Sequence, residues 1–225
     1  MGESVRVKIC GLTRPEDARA ADAAGAAYLG VVLTAGFGRS VAPSMARALV
    51  EGTSALKVAV VVDETADGAA AAAGALGADV IQLHGIESPA VLDELRARGG
   101  WDLWKAVRAQ SIEDVERAVE AYSRVADGIL VEGWKEGPPG VGGARLALDP
   151  ARVRALVPHS VALILAGGLG PDSVADAVRS FRPDVVDVSS GVERALGVKD
   201  HGRVRAFVRA ARAAGPDPAT KDDSA

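Results

Sequence analysis

Short apolar, β-branched runs recur along the chain, and each is followed by a polar, alanine-rich stretch with helical spacing. The runs are VRVKI (5–9), AYLGVVL (27–33), KVAVVV (57–62), DVIQL (79–83), DLWKAV (102–107), DGILV (127–131), VALIL (161–165) and DVVDVS (184–189). Good helix starts lie between them: Arg14-Pro15-Glu16-Asp17, Ser88-Pro89, Ser111-Ile112-Glu113-Asp114 and Pro171-Asp172-Ser173. Proline loses no hydrogen bond in a first helical turn, and acidic side chains suit the helix's positive end. Gly25, Gly77 and Gly99 stand where helical stretches stop, the position at which glycine accepts a left-handed backbone.

Strict alternation of strand and helix requires parallel strands joined by crossovers. Eight units in 225 residues average about 28 residues each, which fits an α/β fold of the (β/α)8 TIM-barrel type at its compact end. A doubly wound open sheet is the rival, but it normally carries a glycine-rich dinucleotide loop after the first strand. CGLTRPED stands there instead. The expectation is one barrel domain over residues 1–213, with 214–225 as a flexible polar tail.

Side chains alternate along a strand, so parity assigns faces. Val5, Val7 and Ile9 then face the helices, while Arg6, Lys8 and Cys10 face the barrel axis. Cys10, the single cysteine, stands last on its strand, at the end where barrel enzymes build their sites. The same parity turns Gln82 and His84 inward, with Ile81 and Leu83 outward. It also turns Leu130 and Glu132 inward, and Val185, Asp187 and Ser189. Polar groups from the first, fourth, sixth and eighth strands therefore converge at one end, where each would cost about 1–3 kcal/mol if buried unpartnered. Lys8, one layer below Cys10, is expected to favour the thiolate.

The seventh strand runs into LAGGLGPDSV (165–174) and the eighth into SSGVERALG (189–197). Glycine lets backbone amides approach an anion, and barrel enzymes frequently seat phosphate between these two loops. Loop 2, LTAGFGRSVAP (33–43), carries one cation, Arg39, whose guanidinium suits a carboxylate. Loop 6 (132–150) is rich in glycine and proline, as a lid or phosphate-closing loop would be.

Charge and composition narrow the partners. The net charge is −4 and the pI about 5.5, which gives no reason to expect nucleic acid or an anionic membrane. One cysteine cannot form an internal disulfide, and His84, His159 and His201 show no metal-ligand spacing. No apolar run approaches the ~20 residues of a membrane span. A reducing cytoplasm is expected, and a monomer or homodimer.

KICGLTRPEDA, QLHG, LAGGL and VDVSSGVE with GVKD (197–200), in that order over about residues 5–209, resemble the phosphoribosylanthranilate isomerases of tryptophan biosynthesis. The resemblance implies a cofactor-free Amadori rearrangement of N-(5-phosphoribosyl)anthranilate to 1-(2-carboxyphenylamino)-1-deoxyribulose 5-phosphate. It implies Cys10 as general base, Arg39 facing the anthranilate carboxylate, and phosphate held at Gly167, Gly168, Ser190 and Gly191, with Gly142 from loop 6. Lys8, Gln82 and His84 join Arg39 as expected substrate contacts. The family usually ends its sixth strand in LLD and follows with GGTGxxFDW; this chain has LVE, then PPGVGGARLALDP. The general acid therefore falls to Glu132, with Asp187 as substitute. That departure leaves three other readings open: an isomerase of a specialised anthranilate pathway, one that also takes the histidine-pathway intermediate, and a non-catalytic phosphosugar-binding barrel.

Overall fold

The computed structural model of the chain describes residues 4–133 and 144–215. Eight parallel strands close into a barrel in chain order: β1 (Arg6–Ile9), β2 (Tyr28–Val32), β3 (Leu56–Val61), β4 (Val80–Leu83), β5 (Asp102–Ala109), β6 (Gly128–Gly133), β7 (Ala162–Leu165) and β8 (Val185–Val188). The crossover helices are α1 (Pro15–Ala23), α2 (Pro43–Leu49), α3 (Ala66–Leu76), α4 (Pro89–Arg96), α5 (Ile112–Tyr122), α6 (Pro150–Leu156) and α7 (Val174–Phe181), and α8 (His201–Ala214) closes the ring.

Helix starts follow the local chemistry. Pro15, Pro43, Pro89 and Pro150 occupy first turns. Thr65 Oγ1 accepts from the Gly68 amide at 3.1 Å, and Ser111 with Asp114 forms a capping box on α5. Such caps are worth roughly 1 kcal/mol each.

Period-two alternation splits the core into two clusters. Val5, Val7, Ile9, Ile81, Leu83 and Val131 pack outward against the helices. Tyr28, Val58, Val60, Trp104, Leu130, Ile164 and Val185 fill the barrel, with Cys10 among them. Near the amino end the Tyr28 and Trp104 rings meet edge to face, 4.9 Å apart and inclined 68°. Arg6 lies over the Tyr28 ring at 5.4 Å and donates to its hydroxyl at 2.5 Å. The Tyr28 and Trp104 rings thus close the barrel near its amino end.

Register brings the charged partners together. Lys8 pairs across from Asp187 on the β1–β8 ladder, and Arg108 across from Glu132 on β5–β6. Two features escape the hydrophobic pattern. Strand β5 runs two residues beyond the expected 107, which brings Arg108 into the sheet. Between β8 and α8 the chain also forms a 3-10 turn (Ser190–Val192) and a small antiparallel hairpin, β9 (Glu193–Ala195) and β10 (Val198–Lys199). Segments of two or three residues are too short to show a period.

Candidate active site

The carboxyl ends of the strands surround a cavity of about 420 Å³, lined by Cys10, Arg39, His84, Glu132, Asp187, residues 166–169 and residues 188–191. The thiol, the strand-6 carboxylate and the glycine loops thus open onto one space. Lys8 and Gln82 do not line it; both are fully buried. That differs from the expectation of direct substrate contact: each sits one pleat below the residue that does face the cavity, Cys10 and His84 respectively.

On the β1–β8 side, Lys8 Nζ donates to Asp187 Oδ2 at 2.9 Å, and its charge acts on the neighbouring Cys10 side chain. Burial alone would lower the Lys8 pKa, but Asp187 and Cys10 hold it above the ordinary lysine value. Lys8 favours the Cys10 thiolate as expected, but the net shift of the thiol is upward. Burial, the largest influence, pushes it up, Asp187 adds to the rise, and Lys8 offsets only part of it. The neighbouring ammonium is itself paired, so its help to the thiolate is reduced. Asp187 Oδ1 has no hydrogen-bond partner among the described residues, and the residue lines the cavity. Gly30 of β2 gives this cluster its room. A Cβ there would lie 2.9 Å from Cys10 Sγ and 3.0 Å from Lys8 Cε.

Across the cavity, Glu132 Oε1 lies 3.3 Å from His84 Nε2 and 3.9 Å from Arg108 Nε. Gln82 Nε2 lies 2.7 Å from His84 Nδ1. With that amide donating, Nδ1 accepts and Nε2 carries the hydrogen that points at Glu132. The His84 loop is braced from behind. Glu87 accepts from the Asp63 and Gly85 amides at 2.8 and 3.0 Å, and Lys105 Nζ donates to Glu87 Oε2 at 3.0 Å and to Gly85 O at 2.6 Å. A Cβ on Gly85 would fall 2.1 Å from Asp63 Oδ1, so the glycine of QLHG is a packing requirement.

Arg39 reaches the cavity from loop 2, and its partner is Glu193 of β9: Nε to Oε1 and Nη2 to Oε2, both 2.7 Å. Lys199 Nζ of β10 shares Glu193 Oε1 at 2.8 Å. Burial would raise the Glu193 pKa, but hydrogen bonds from Arg39 and Lys199 keep it below the ordinary carboxylate value. Sequence reasoning missed Glu193 and Lys199. They lie within the motifs SSGVE and GVKD, yet nothing in a string shows a pairing across 154 positions.

The glycine loops after β7 and β8 pack backbone to backbone. Gly167 and Gly168 take φ of +87° and +61°. A Cβ on Gly167 would meet Ala144 O at 2.2 Å, and one on Gly191 would meet Leu169 O at 1.8 Å. Ser190 and Gly191 open the 3-10 turn, where first-turn amides lack an intrahelical acceptor. Gly142, with Gly140 and Gly143, lies outside the described residues.

Comparison with known proteins agrees with this geometry. The family model for N-(5'phosphoribosyl)anthranilate (PRA) isomerase matches residues 7–210. An N-(5'-phosphoribosyl)anthranilate isomerase of Pseudomonas fluorescens (strain Pf0-1) is 38% identical over 215 residues, 93% of this chain and 99% of that protein. The one from Myxococcus xanthus is 41% identical over 213 residues, covering 93% and 97%. Among solved structures, phosphoribosyl anthranilate isomerase from Thermotoga maritima superposes with a TM-score of 0.83 at 32% identity, covering 93% of this chain and 99% of that one. A phosphoribosyl anthranilate isomerase in complex with reduced 1-(o-carboxyphenylamino)-1-deoxyribulose 5-phosphate superposes at 0.80 with 31% identity over the same shares. On the strength of the family match and of relatives near 40% identity over almost the whole length, this chain belongs to the N-(5'-phosphoribosyl)anthranilate isomerase family.

Proposed function

We propose that the chain converts N-(5-phosphoribosyl)anthranilate to 1-(2-carboxyphenylamino)-1-deoxyribulose 5-phosphate in tryptophan biosynthesis, with Cys10 as base and Glu132 as acid. The observation that carries the assignment is that these two side chains share one cavity with Arg39 and with both glycine loops. Phosphate is assigned to Gly167, Gly168, Ser190 and Gly191, and the anthranilate carboxylate to Arg39.

The chemistry divides between the two sides. Glu132 gives its proton to the furanose ring oxygen, the ring opens, and the nitrogen lone pair completes an iminium ion. The carboxylate left behind meets His84 Nε2 and Arg108, which stabilise its charge. Cys10 as thiolate then removes the proton from C2, and the enolamine accepts a proton at C1 as C2 becomes the ketone. Lys8, next to Cys10 on the same strand face, stabilises the thiolate that this step needs. Asp187 fixes Lys8 and is assigned a supporting role.

Glu193 also bears on substrate choice. A second phosphate at the Arg39 pole would find that guanidinium already half-occupied and its charge offset by Glu193, which disfavours the two-phosphate histidine-pathway intermediate. A base that is a free thiol suits a reducing compartment, so we assign the enzyme to the cytoplasm. The test is turnover of N-(5-phosphoribosyl)anthranilate, followed by loss of its fluorescence. Catalytic conversion is expected; tight binding of a product analogue without conversion would replace the enzyme with a binding barrel.

A further inference from the structure

We infer that Glu193 is a positioning residue that confines Arg39 to one edge of its guanidinium, and so sets how the substrate's carboxylate, and with it the aryl ring, is oriented over Cys10. The inference rests on the proposed substrate.

A guanidinium offers two bidentate edges, Nε with Nη2 and Nη1 with Nη2. Glu193 occupies the first completely, through two bonds of 2.7 Å. A ligand carboxylate is therefore left the second edge. Glu193 itself cannot swing away easily, because Lys199 Nζ holds Oε1 at 2.8 Å and also donates to Ser189 O at 3.2 Å. Glu193 and Lys199 are both absent from the cavity lining, whereas Arg39 is part of it. Glu193 consequently acts through Arg39.

The arginine's stem is fixed as well. Gly11 follows Cys10 with φ +67°, and a Cβ there would lie 2.5 Å from Arg39 Cδ. The guanidinium is thus folded against the end of the strand that carries the thiol. Which edge takes the carboxylate then decides where the sugar's C2 falls relative to Sγ. The formal charges of Arg39, Lys199 and Glu193 sum to +1, enough to attract one carboxylate and poorly matched to a dianion.

Freed of Glu193, the Nε–Nη2 edge becomes a second and competing seat. Substrate should bind more tightly there and react less well. In Glu193→Gln the amide offers only one acceptor, and its NH2 group opposes an arginine N–H. The expected result is a KM lower by about 3–10-fold together with a kcat lower by about 10-fold, the pattern of tighter but misdirected binding. In an Arg39→Lys background, where an ammonium has no edges to choose between, adding Glu193→Gln should change kcat by less than about 2-fold, because the coupling is gone.

A direct arm needs no turnover. Anthranilate, titrated against wild type and Glu193→Gln, should bind the variant more tightly, while aniline, which lacks the carboxylate, should bind both alike. A higher KM with unchanged kcat, unchanged values for both, or equal anthranilate affinity would overturn the inference. So would an undiminished effect in the Arg39→Lys background. If Glu193→Gln does not fold, Glu193→Asp takes its place: one methylene shorter, it leaves the fork incomplete and should lose kcat with no rise in KM, and a kcat equal to wild type would count against us. Failure of wild type to turn over would sink the proposed substrate alone, because the anthranilate titration reads the positioning role separately.

Discussion

The two sides of the cavity are built differently. On the β1–β8 side, Lys8, Cys10 and Asp187 are buried, and a fully buried ammonium meets a carboxylate at 2.9 Å. On the β4–β6 side Glu132 lies 3.3 Å from His84 and 3.9 Å from Arg108. The contrast matches the roles proposed for the two sides. A base that needs a thiolate in a dry site requires a fixed cation beside it. An acid that meets the ring oxygen needs its partners only after the proton has left. On the proposed roles, the cation that the base needs is already in place beside it.

Removing each group should break this comparison in a distinct way. Cys10→Ser should lower kcat/KM by about 10³-fold or more, since a hydroxyl does not ionise near neutral pH and proton abstraction by a positioned base is typically worth ~10²–10⁴-fold; steady-state rates with equal substrate binding would show it. Glu132→Gln should lower kcat by roughly 10²-fold with KM nearly unchanged, because its contribution is made in the transition state. An unaffected kcat would remove Glu132 from the role and direct attention to Asp187.

Lys8→Met has two consequences, each with its own readout. Stability should fall by about 3–5 kcal/mol in denaturant titration, since Asp187 is left buried without its cation. The pH dependence of activity should also shift. Burial raises the Cys10 thiol, and the base is active only when deprotonated. In wild type, kcat/KM should therefore climb with pH through and beyond the ordinary thiol value of about 8.5. Lys8 lowers that pKa, so its loss should carry the rising limb to still higher pH. Adding Asp187→Leu to Lys8→Met should recover stability without recovering activity.

Gly30→Ala is the mildest change. Its Cβ would press on Cys10 Sγ at 2.9 Å, and a displacement of that size should cost on the order of 10-fold in kcat. The Glu132 side should be untouched.

Much of this was legible in the sequence, for a physical reason. Period-two parity is short-range, so the facing of Cys10, His84, Glu132 and Asp187 follows from their own strands. The eight-fold alternation needs only local propensity. Closure of the ring and its register are long-range, and they decide which charges meet. Thus Lys8 with Asp187, separated by 179 positions, and Arg39 with Glu193 became visible only when β8 returned to β1. Lys8 does favour the thiolate, as expected, but the net shift is upward, because a sequence shows the nearby lysine and neither the depth of burial nor the carboxylate that already holds it. Gly30 carries no chemistry of its own and gave no signal.

The division of labour between the two sides is tested most directly by the deuterium isotope effect on kcat with substrate labelled at C2 of the sugar, measured in wild type, Gly30→Ala and Glu132→Gln. Proton abstraction by Cys10 predicts an effect larger than wild type in Gly30→Ala, where that step is slowed. It predicts a smaller one in Glu132→Gln, where ring opening limits the rate. An isotope effect that is the same in all three, or largest in Glu132→Gln, would contradict the account.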